Sequence, residues 1–173
     1  MTDSLMKHFQ MLARYNTLAN HRLYAACAQL DDAERKCIRP AFFRSIHGTL
    51  NHIMVGDRIW LTRFEGGEIA STGLDAILYE EFEELVAARD SEDARIEVFI
   101  ASLNEGFLSQ NIRYCNNQGN IHVDPVTLLL AHLFNHQTHH RGQVHNMLSQ
   151  TEIEPPVLDM HRLIRPEPAE ISN

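Results

Sequence analysis

Apolar residues recur at steps of three and four along four stretches of the chain, which is the spacing of amphipathic helices. These stretches span residues from about 3 to 30, 45 to 64, 78 to 107 and 124 to 148. Ser45 is a suitable N-cap for the second stretch, and Gly66 follows it as helix-ending glycines do. Asp124 is a suitable N-cap for the fourth, with Pro125 in its first turn. The pattern predicts four main helices.

The segment between the third and fourth helices has a different pattern. Residues 111–123 contain two short extended runs around an Asn-Gln-Gly-Asn turn, which is typical of a small hairpin. Two short strands cannot form a sheet of any size. The sequence therefore predicts an all-α fold, a four-helix bundle with a short hairpin-like crossover before the last helix. We expect a single domain over 1–173, with a helical bundle over 1–150 and a proline-rich surface tail over 151–173.

Some polar residues lie where the helical pattern is otherwise apolar. Asn16 and Asn20 lie inside the first helix, where asparagine is not favoured, and we expect them to face solvent or to bond the local backbone. Asp57 lies among apolar positions of the second helix. A buried arginine or histidine N–H is the expected partner of its carboxylate.

Histidines interrupt the apolar stripe of the fourth helix, which carries five of the eleven histidines in the chain. His132, His136 and His140 follow one another at steps of four, so neighbouring pairs share a helix face and two imidazoles can reach one metal ion. Spacing alone does not choose between the pair His132/His136 and the pair His136/His140. Gln137 stands where a zincin-type protease has its catalytic Glu, so that class is not supported. On the second helix, His52 lies beside the apolar stripe and is a candidate to face the core.

Composition narrows the function classes further. The chain has 173 residues, of which 44% are hydrophobic and 22% charged, and its net charge is −8. An acidic chain without a basic cluster is unsuited to binding a phosphate backbone, so we expect no nucleic-acid partner. The N-terminus has no signal-peptide core and no stretch approaches the roughly 20 apolar residues of a membrane span. The three cysteines, Cys27, Cys37 and Cys115, are expected to be small buried residues in a cytoplasmic protein.

Four segments together resemble the DinB family of damage-inducible, metal-binding four-helix proteins. They are LNHIMVGDRIWL at 50–61, HQTHHRGQV at 136–144, YNTLAN at 15–20 and EPPVLD at 154–159, so the resemblance covers nearly the whole chain. In that family, one histidine of the second helix and an HxxxH pair just before Arg-Gly-Gln form a three-histidine metal site. The resemblance thus implies His52, His136 and His140 as ligands. It does not imply His132, His139 or His145.

The resemblance also implies a function. Three neutral imidazoles leave a coordination position open, as in catalytic zinc sites, and zinc or nickel is the expected metal, with iron and manganese as further candidates. Relatives include metal-dependent thiol transferases and hydrolases, which implies an enzyme that activates a thiol or water, with a low-molecular-weight thiol or a small electrophile as substrate. The alternative is a non-catalytic metal-binding protein of the stress or damage response.

Two further expectations follow. We expect a homodimer, because relatives suggest one and because the first helix has more apolar residues than a small bundle is expected to cover. We also expect acid to compete with the metal, since a histidine binds metal only through a neutral nitrogen. With an ordinary histidine pKa of about 6.5, this competition should become severe below roughly pH 6.

Overall fold

The structure, a computed structural model, describes residues 2–68 and 72–167. In chain order, its elements are α1 (Thr2–Cys27), α2 (Asp32–Lys36), α3 (Ile46–Phe64), α4 (Phe82–Ala101), α5 (Glu105–Leu108), β1 (Asn111–Cys115), β2 (Ile121–Pro125), α6 (Val126–Leu148) and α7 (Met160–Ile164). The strands form a two-stranded antiparallel sheet in which Arg113 pairs with Val123. The all-α class and the hairpin before the last long helix are confirmed.

The four long helices pack around two apolar clusters. Helix α1 contacts α4 and α6, and α3 contacts α6 and α4. One cluster includes Leu23, Leu50 and Val144, and the other includes Trp60 and Leu130. Because burial of apolar surface is the main favourable term in folding, these clusters are the chief source of the bundle's stability.

The third predicted helix is shorter than its periodicity suggests. It begins at Phe82 instead of Leu78, because the side-chain oxygen of Asn51 accepts hydrogen bonds from the backbone N–H groups of Leu78 and Tyr79, at 2.9 and 3.0 Å. At its other end the helix breaks after Ala101. A separate short helix, α5, follows, and the side chain of Asn104 caps it by accepting from the N–H of Phe107.

Two helix starts had been predicted from capping residues, and one prediction is wrong. Ser45 does cap α3, since its hydroxyl accepts from the N–H of Gly48 at 2.9 Å. Asp124 does not cap α6, because it lies in β2, where its carboxylate accepts from the hydroxyl of Tyr114 at 2.9 Å. Helix α6 begins at Val126 without a side-chain cap.

The cysteine prediction is correct for one residue of three. Cys27 is buried, whereas Cys37 and Cys115 are exposed, and all three are free thiols. In the part of the chain that the structure covers, no helix has the length and apolar character needed to cross a membrane.

The surface tail is partly described. Leu163 of α7 packs against Tyr15 and Ala19 of α1, and the predicted tail beyond residue 167 lies outside the described residues. Most apolar residues of α1 are buried or packed within the bundle, whereas Met11, at 36% exposure, and Ala25 are exposed. The expected homodimer therefore loses its physical argument, and it stays a prediction from family resemblance.

Candidate metal centre

Three imidazoles from two helices converge at one point. His52 lies on α3, and His136 and His140 lie one turn apart on α6, which packs against α3. The Nε2 atom of His52 lies 3.0 Å from Nε2 of His136 and 3.1 Å from Nε2 of His140. Nitrogens bound to one zinc ion at about 2.0–2.1 Å lie roughly 3.3 Å from one another. The three residues therefore form a group with the geometry to hold a metal ion.

Neighbouring groups orient two of these rings. The Nδ1–H of His52 donates to the carbonyl of Leu74 at 2.7 Å, and that of His140 donates to the side-chain oxygen of Gln143 at 2.8 Å. A ring that donates from Nδ1 presents a lone pair at Nε2, which is the form that binds metal. The Nδ1 atom of His136 is buried and has no partner among the described residues.

Packing fixes the position of the rings. Phe43 stacks on His52 with 3.6 Å between ring centroids, and it meets His140 edge-on at 5.5 Å. On the other side, Gly56 makes room for His136, because a Cβ atom at position 56 would lie 2.6 Å from Cε1 of that ring. A larger residue at this position would force the His136 ring to shift.

The three imidazoles stay neutral at pH values well below the ordinary histidine pKa. Burial lowers the pKa of His136 to about 3, and the proximity of His140 and His52 adds to this effect. Burial also lowers the pKa of His140 to about 4, against the opposing hydrogen bond to Gln143. The pKa of His52 is lowered by burial as well. The group is therefore in its metal-binding protonation state at neutral pH.

A cavity of about 420 Å³ opens beside the three-histidine group, on the side of His52 and His136. Its walls include His52 and His136 together with aromatic, cationic and amide side chains: Trp60, Arg63, Tyr114, Asn116, His122 and His132. Sequence reasoning missed this wall, because it forms where the hairpin folds back against α3. The one signal in the sequence was His132, which interrupts the apolar spacing of α6 on the side that faces the cavity.

Comparison with known proteins identifies the family. The chain matches the model of the DinB family over residues 1–171. It belongs to the DinB family. Protein DinB of Bacillus subtilis (strain 168) is 28% identical over 160 residues, which is 87% of this chain and 87% of that protein. The resemblance drawn from the sequence segments is thereby confirmed, and the three-histidine group fits a metal-binding protein of the DinB family.

The other histidines of α6 lie outside this group. His132 meets Trp60 edge-on at 5.1 Å between ring centroids and lies 6.0 Å from the ring of His136. His139 is exposed, and its Nε2 lies 3.2 Å from the side-chain nitrogen of Gln143. His145 is bonded instead to the carbonyl of Pro156 at 3.2 Å. None of the three joins the convergent nitrogens.

A buried polar network lies next to the histidines. Asp57 follows Gly56, and its carboxylate accepts from Arg89 at 2.6 Å and from Gln137 at 2.8 Å. The predicted buried arginine partner of Asp57 is confirmed. Burial disfavours the Arg89 cation, but the carboxylates of Asp57 and Asp93 outweigh this and raise its pKa, so the guanidinium stays charged.

The expectation for Asn16 and Asn20 is wrong. Both side chains are buried, with 1% exposure each. Their amide nitrogens donate to Asp93 at 2.9 and 3.0 Å, and their oxygens accept from Arg141. They link α1 to α4 and α6, a role that residue type and spacing do not reveal because it depends on partners more than 70 positions away.

Proposed function

We propose that this member of the DinB family is a metal-dependent enzyme of the thiol S-transferase or hydrolase type. His52, His136 and His140 would hold one divalent transition metal, zinc or nickel, with iron or manganese as further candidates. The convergence of their Nε2 atoms supports this ligand set. The hydrogen bonds of His52 and His140 through Nδ1 support it further, since they leave Nε2 free for a metal.

The cavity beside the histidines is the observation that favours an enzyme. A protein that only holds a metal ion needs no space for a second molecule. Here His52 and His136 border a cavity of about 420 Å³ that is also lined by other polar groups. A bound ion would supply a lowered pKa for a thiol or water and polarisation of an electrophile. The residues of the chain contribute the rest: Phe43 covers one side of the histidines, and the cavity walls admit and orient the substrate.

Metal analysis of five variants tests the ligand set. We expect purified protein to hold one divalent metal per chain, and His52→Ala, His136→Ala and His140→Ala each to lower metal affinity sharply, because each removes one of three nitrogens. His132→Ala and His139→Ala are the matched controls on the same helix, and they should retain the metal. Loss of metal in His132→Ala with retention in His140→Ala would contradict the assignment.

A turnover assay tests the enzyme itself. Metal-loaded protein is screened with low-molecular-weight thiols against small electrophiles and with activated esters and amides, and His140→Ala is the inactive control. We expect metal-dependent turnover of at least one pair that this variant lacks. Full metal occupancy without turnover would contradict the enzyme and leave the alternative of a non-catalytic metal-binding protein.

A further inference from the structure

The cavity beside the three histidines has an unusual charge for this protein. The chain has 23 acidic and 15 basic residues, yet among the described residues the cavity wall contains one cation, Arg63, and no carboxylate. A cleft lined by one sign of charge concentrates ligands of the opposite sign. The charge of this wall is therefore suited to an anion, in contrast to the rest of the molecule.

Arg63 has unused capacity to bind one. Its guanidinium lies 4.6 Å from the ring centroids of both Trp60 and Tyr114, and one terminal nitrogen donates to the carbonyl of Cys115 at 2.9 Å. Its Nε is buried without a partner in the described part of the chain. A guanidinium carries five N–H donors, and three on the terminal nitrogens have no described hydrogen bond. No described carboxylate neutralises the charge.

Two arginines of α4 are paired with carboxylates. Arg89 pairs with Asp57 and Asp93, and Arg95 pairs with Glu65 and Glu92. The two aromatic rings hold the Arg63 guanidinium in place without cancelling its charge, because a cation–π contact supplies no counter-ion. Among the described residues, Arg63 thus lacks the carboxylate partners that neutralise Arg89 and Arg95.

Arg63 lies on the same face of α3 as His52. His52, Gly56, Trp60 and Arg63 follow one another on α3 at steps of four, four and three, so they share one helix face. At 1.5 Å of rise per residue, the Cα atoms of His52 and Arg63 are roughly 16 Å apart. The cavity between them is bordered by Trp60 and by His132. A ligand anchored at Arg63 would extend along this face toward the histidines.

We infer that this cavity takes a small molecule with a carboxylate at one end and an apolar body, the carboxylate bound by Arg63 and the body lying along Trp60. A carboxylate matches the planar fork of a guanidinium. A doubly charged phosphate would keep one charge uncompensated beside a single cation, which is costly in a partly desolvated cavity. The inference deepens the proposed function and rests on it for the reactive end of the ligand, which would face the three histidines.

Trp60 supplies a direct measurement of binding. It is the one tryptophan of the chain, and it borders the cavity, so its fluorescence reports occupancy without any assay of turnover. Metal-free and zinc-loaded protein are titrated with 4-phenylbutyrate, with its neutral amide 4-phenylbutyramide, and with phenyl phosphate. We expect the carboxylate to bind roughly tenfold or more tightly than the amide, since hydrogen bonds to a charged group are the stronger kind.

Variants assign that preference to Arg63. Arg63→Gln should reduce the preference for the carboxylate to near unity, and Arg63→Lys should keep part of it, because the charge remains while the planar fork is lost. Arg14→Gln removes the same charge from an exposed position of α1 and should leave the preference unchanged. Thermal unfolding of each variant checks that the fold is retained, and the probe pair tests the wild-type protein even where a variant fails to fold.

Three results would overturn the inference: equal affinity of the wild-type protein for the carboxylate and the amide, tighter binding of phenyl phosphate, or an unchanged preference in folded Arg63→Gln. Because the titration is also performed on metal-free protein, its outcome does not depend on metal retention or turnover. A carboxylate preference that depends on Arg63, in a protein that never holds metal, would support the anion site and contradict the proposed enzyme.

Discussion

At the scale of single residues, the position of His136 depends on the absence of a side chain at Gly56 of α3. Gly56 is buried, and a methyl group there would overlap the His136 ring. Gly56→Ala should therefore displace the ring and lower metal affinity by roughly 10–100-fold, the usual cost of disturbing a ligand's support. Isothermal titration with zinc measures it.

Gly142→Ala is the control for this change. No heavy atom lies within 4 Å of a Cβ built at Gly142, which is exposed on α6. Alanine there should leave zinc affinity unchanged and stabilise the helix by about 0.5–1 kcal/mol. Equal zinc affinity in both variants would contradict the proposed packing of His136.

Gln137 supports the buried carboxylate of Asp57. Its amide donates to the Asp57 carboxylate at 2.8 Å, and its side chain has no exposure. Gln137→Glu would place two carboxylates in contact, which should destabilise the fold by about 2 kcal/mol or more at pH 8. The loss should shrink as pH falls, because a protonated Glu can donate to Asp57. Chemical denaturation at pH 8 and pH 5 measures both effects.

The exposed Gln10→Glu variant supplies the comparison for Gln137→Glu. It introduces the same charge on α1 and should change stability by less than about 0.5 kcal/mol at either pH. A Gln137→Glu variant as stable as Gln10→Glu at pH 8 would mean that Asp57 does not depend on the Gln137 amide.

These residues also show what sequence can predict about the site. The sequence alone predicts that His136 and His140 share a helix face, because they are four residues apart and helix periodicity is local. The same step joins His132 to His136, so spacing left both pairs open. What separates them is the position of His52 on another helix, which only packing determines, and family resemblance supplied the choice that local pattern did not.

At the scale of elements, each long helix has one or two buried polar residues between its two apolar regions. These residues are Asn16 and Asn20 on α1, Asp57 on α3, Arg89 and Asp93 on α4, and Gln137 and Arg141 on α6. They bond one another across the bundle. A slip of one helix would leave these groups buried and unpaired, so the polar layer favours one alignment of the four helices.

Arg89 is the centre of this layer, and its removal should be costly. Arg89→Met removes the cation that is bonded to both Asp57 and Asp93, which should destabilise the fold by about 3–5 kcal/mol. Arg95→Met on the same helix is the control. Its ion pairs with Glu65 and Glu92 involve a side chain that is 35% exposed, and they should contribute about 0–1 kcal/mol. Similar urea midpoints for the two variants would contradict a structural role for the layer.

The ends of the elements depend on contacts that local pattern does not contain. The predicted start at Leu78 was wrong because Asn51, 27 positions earlier, binds the backbone there. The cap at Ser45 was predictable because its acceptor and donor are three residues apart. The helices themselves were predictable, since periodicity over several turns is a strong local signal.

At the scale of the whole molecule, the apolar core and the histidines are separate. Leu23, Leu50 and Leu130 are buried without exposure in clusters that do not include His52, His136 or His140. Chelation should therefore leave the helical content largely unchanged. It should lower the melting temperature by the binding free energy that is withdrawn.

Acid should displace the metal at a lower pH than an ordinary histidine pKa suggests. The expected onset of severe competition moves from roughly pH 6 to lower pH, because burial lowers the pKa of His136 to about 3 and of His140 to about 4. Protons compete only below the pKa of the metal-free ligand. We expect metal retention through pH 5, measured by dialysis and elemental analysis from pH 8 to pH 4, with far-UV circular dichroism on the same samples.

The same pKa values make the metal-free protein sensitive to acid. Its unfolded chain takes up protons on these histidines below about pH 6.5, while the folded chain does so only near pH 4 for His140 and pH 3 for His136. Stability contributed above pH 6.5 is thus lost as the pH falls through that window. The melting temperature of metal-free protein should decrease from pH 7 to pH 4. In His140→Gln the decrease should be shallower, whereas the exposed His8→Gln should follow the wild type. Equal slopes in all three proteins would contradict neutral, partly buried imidazoles in this group.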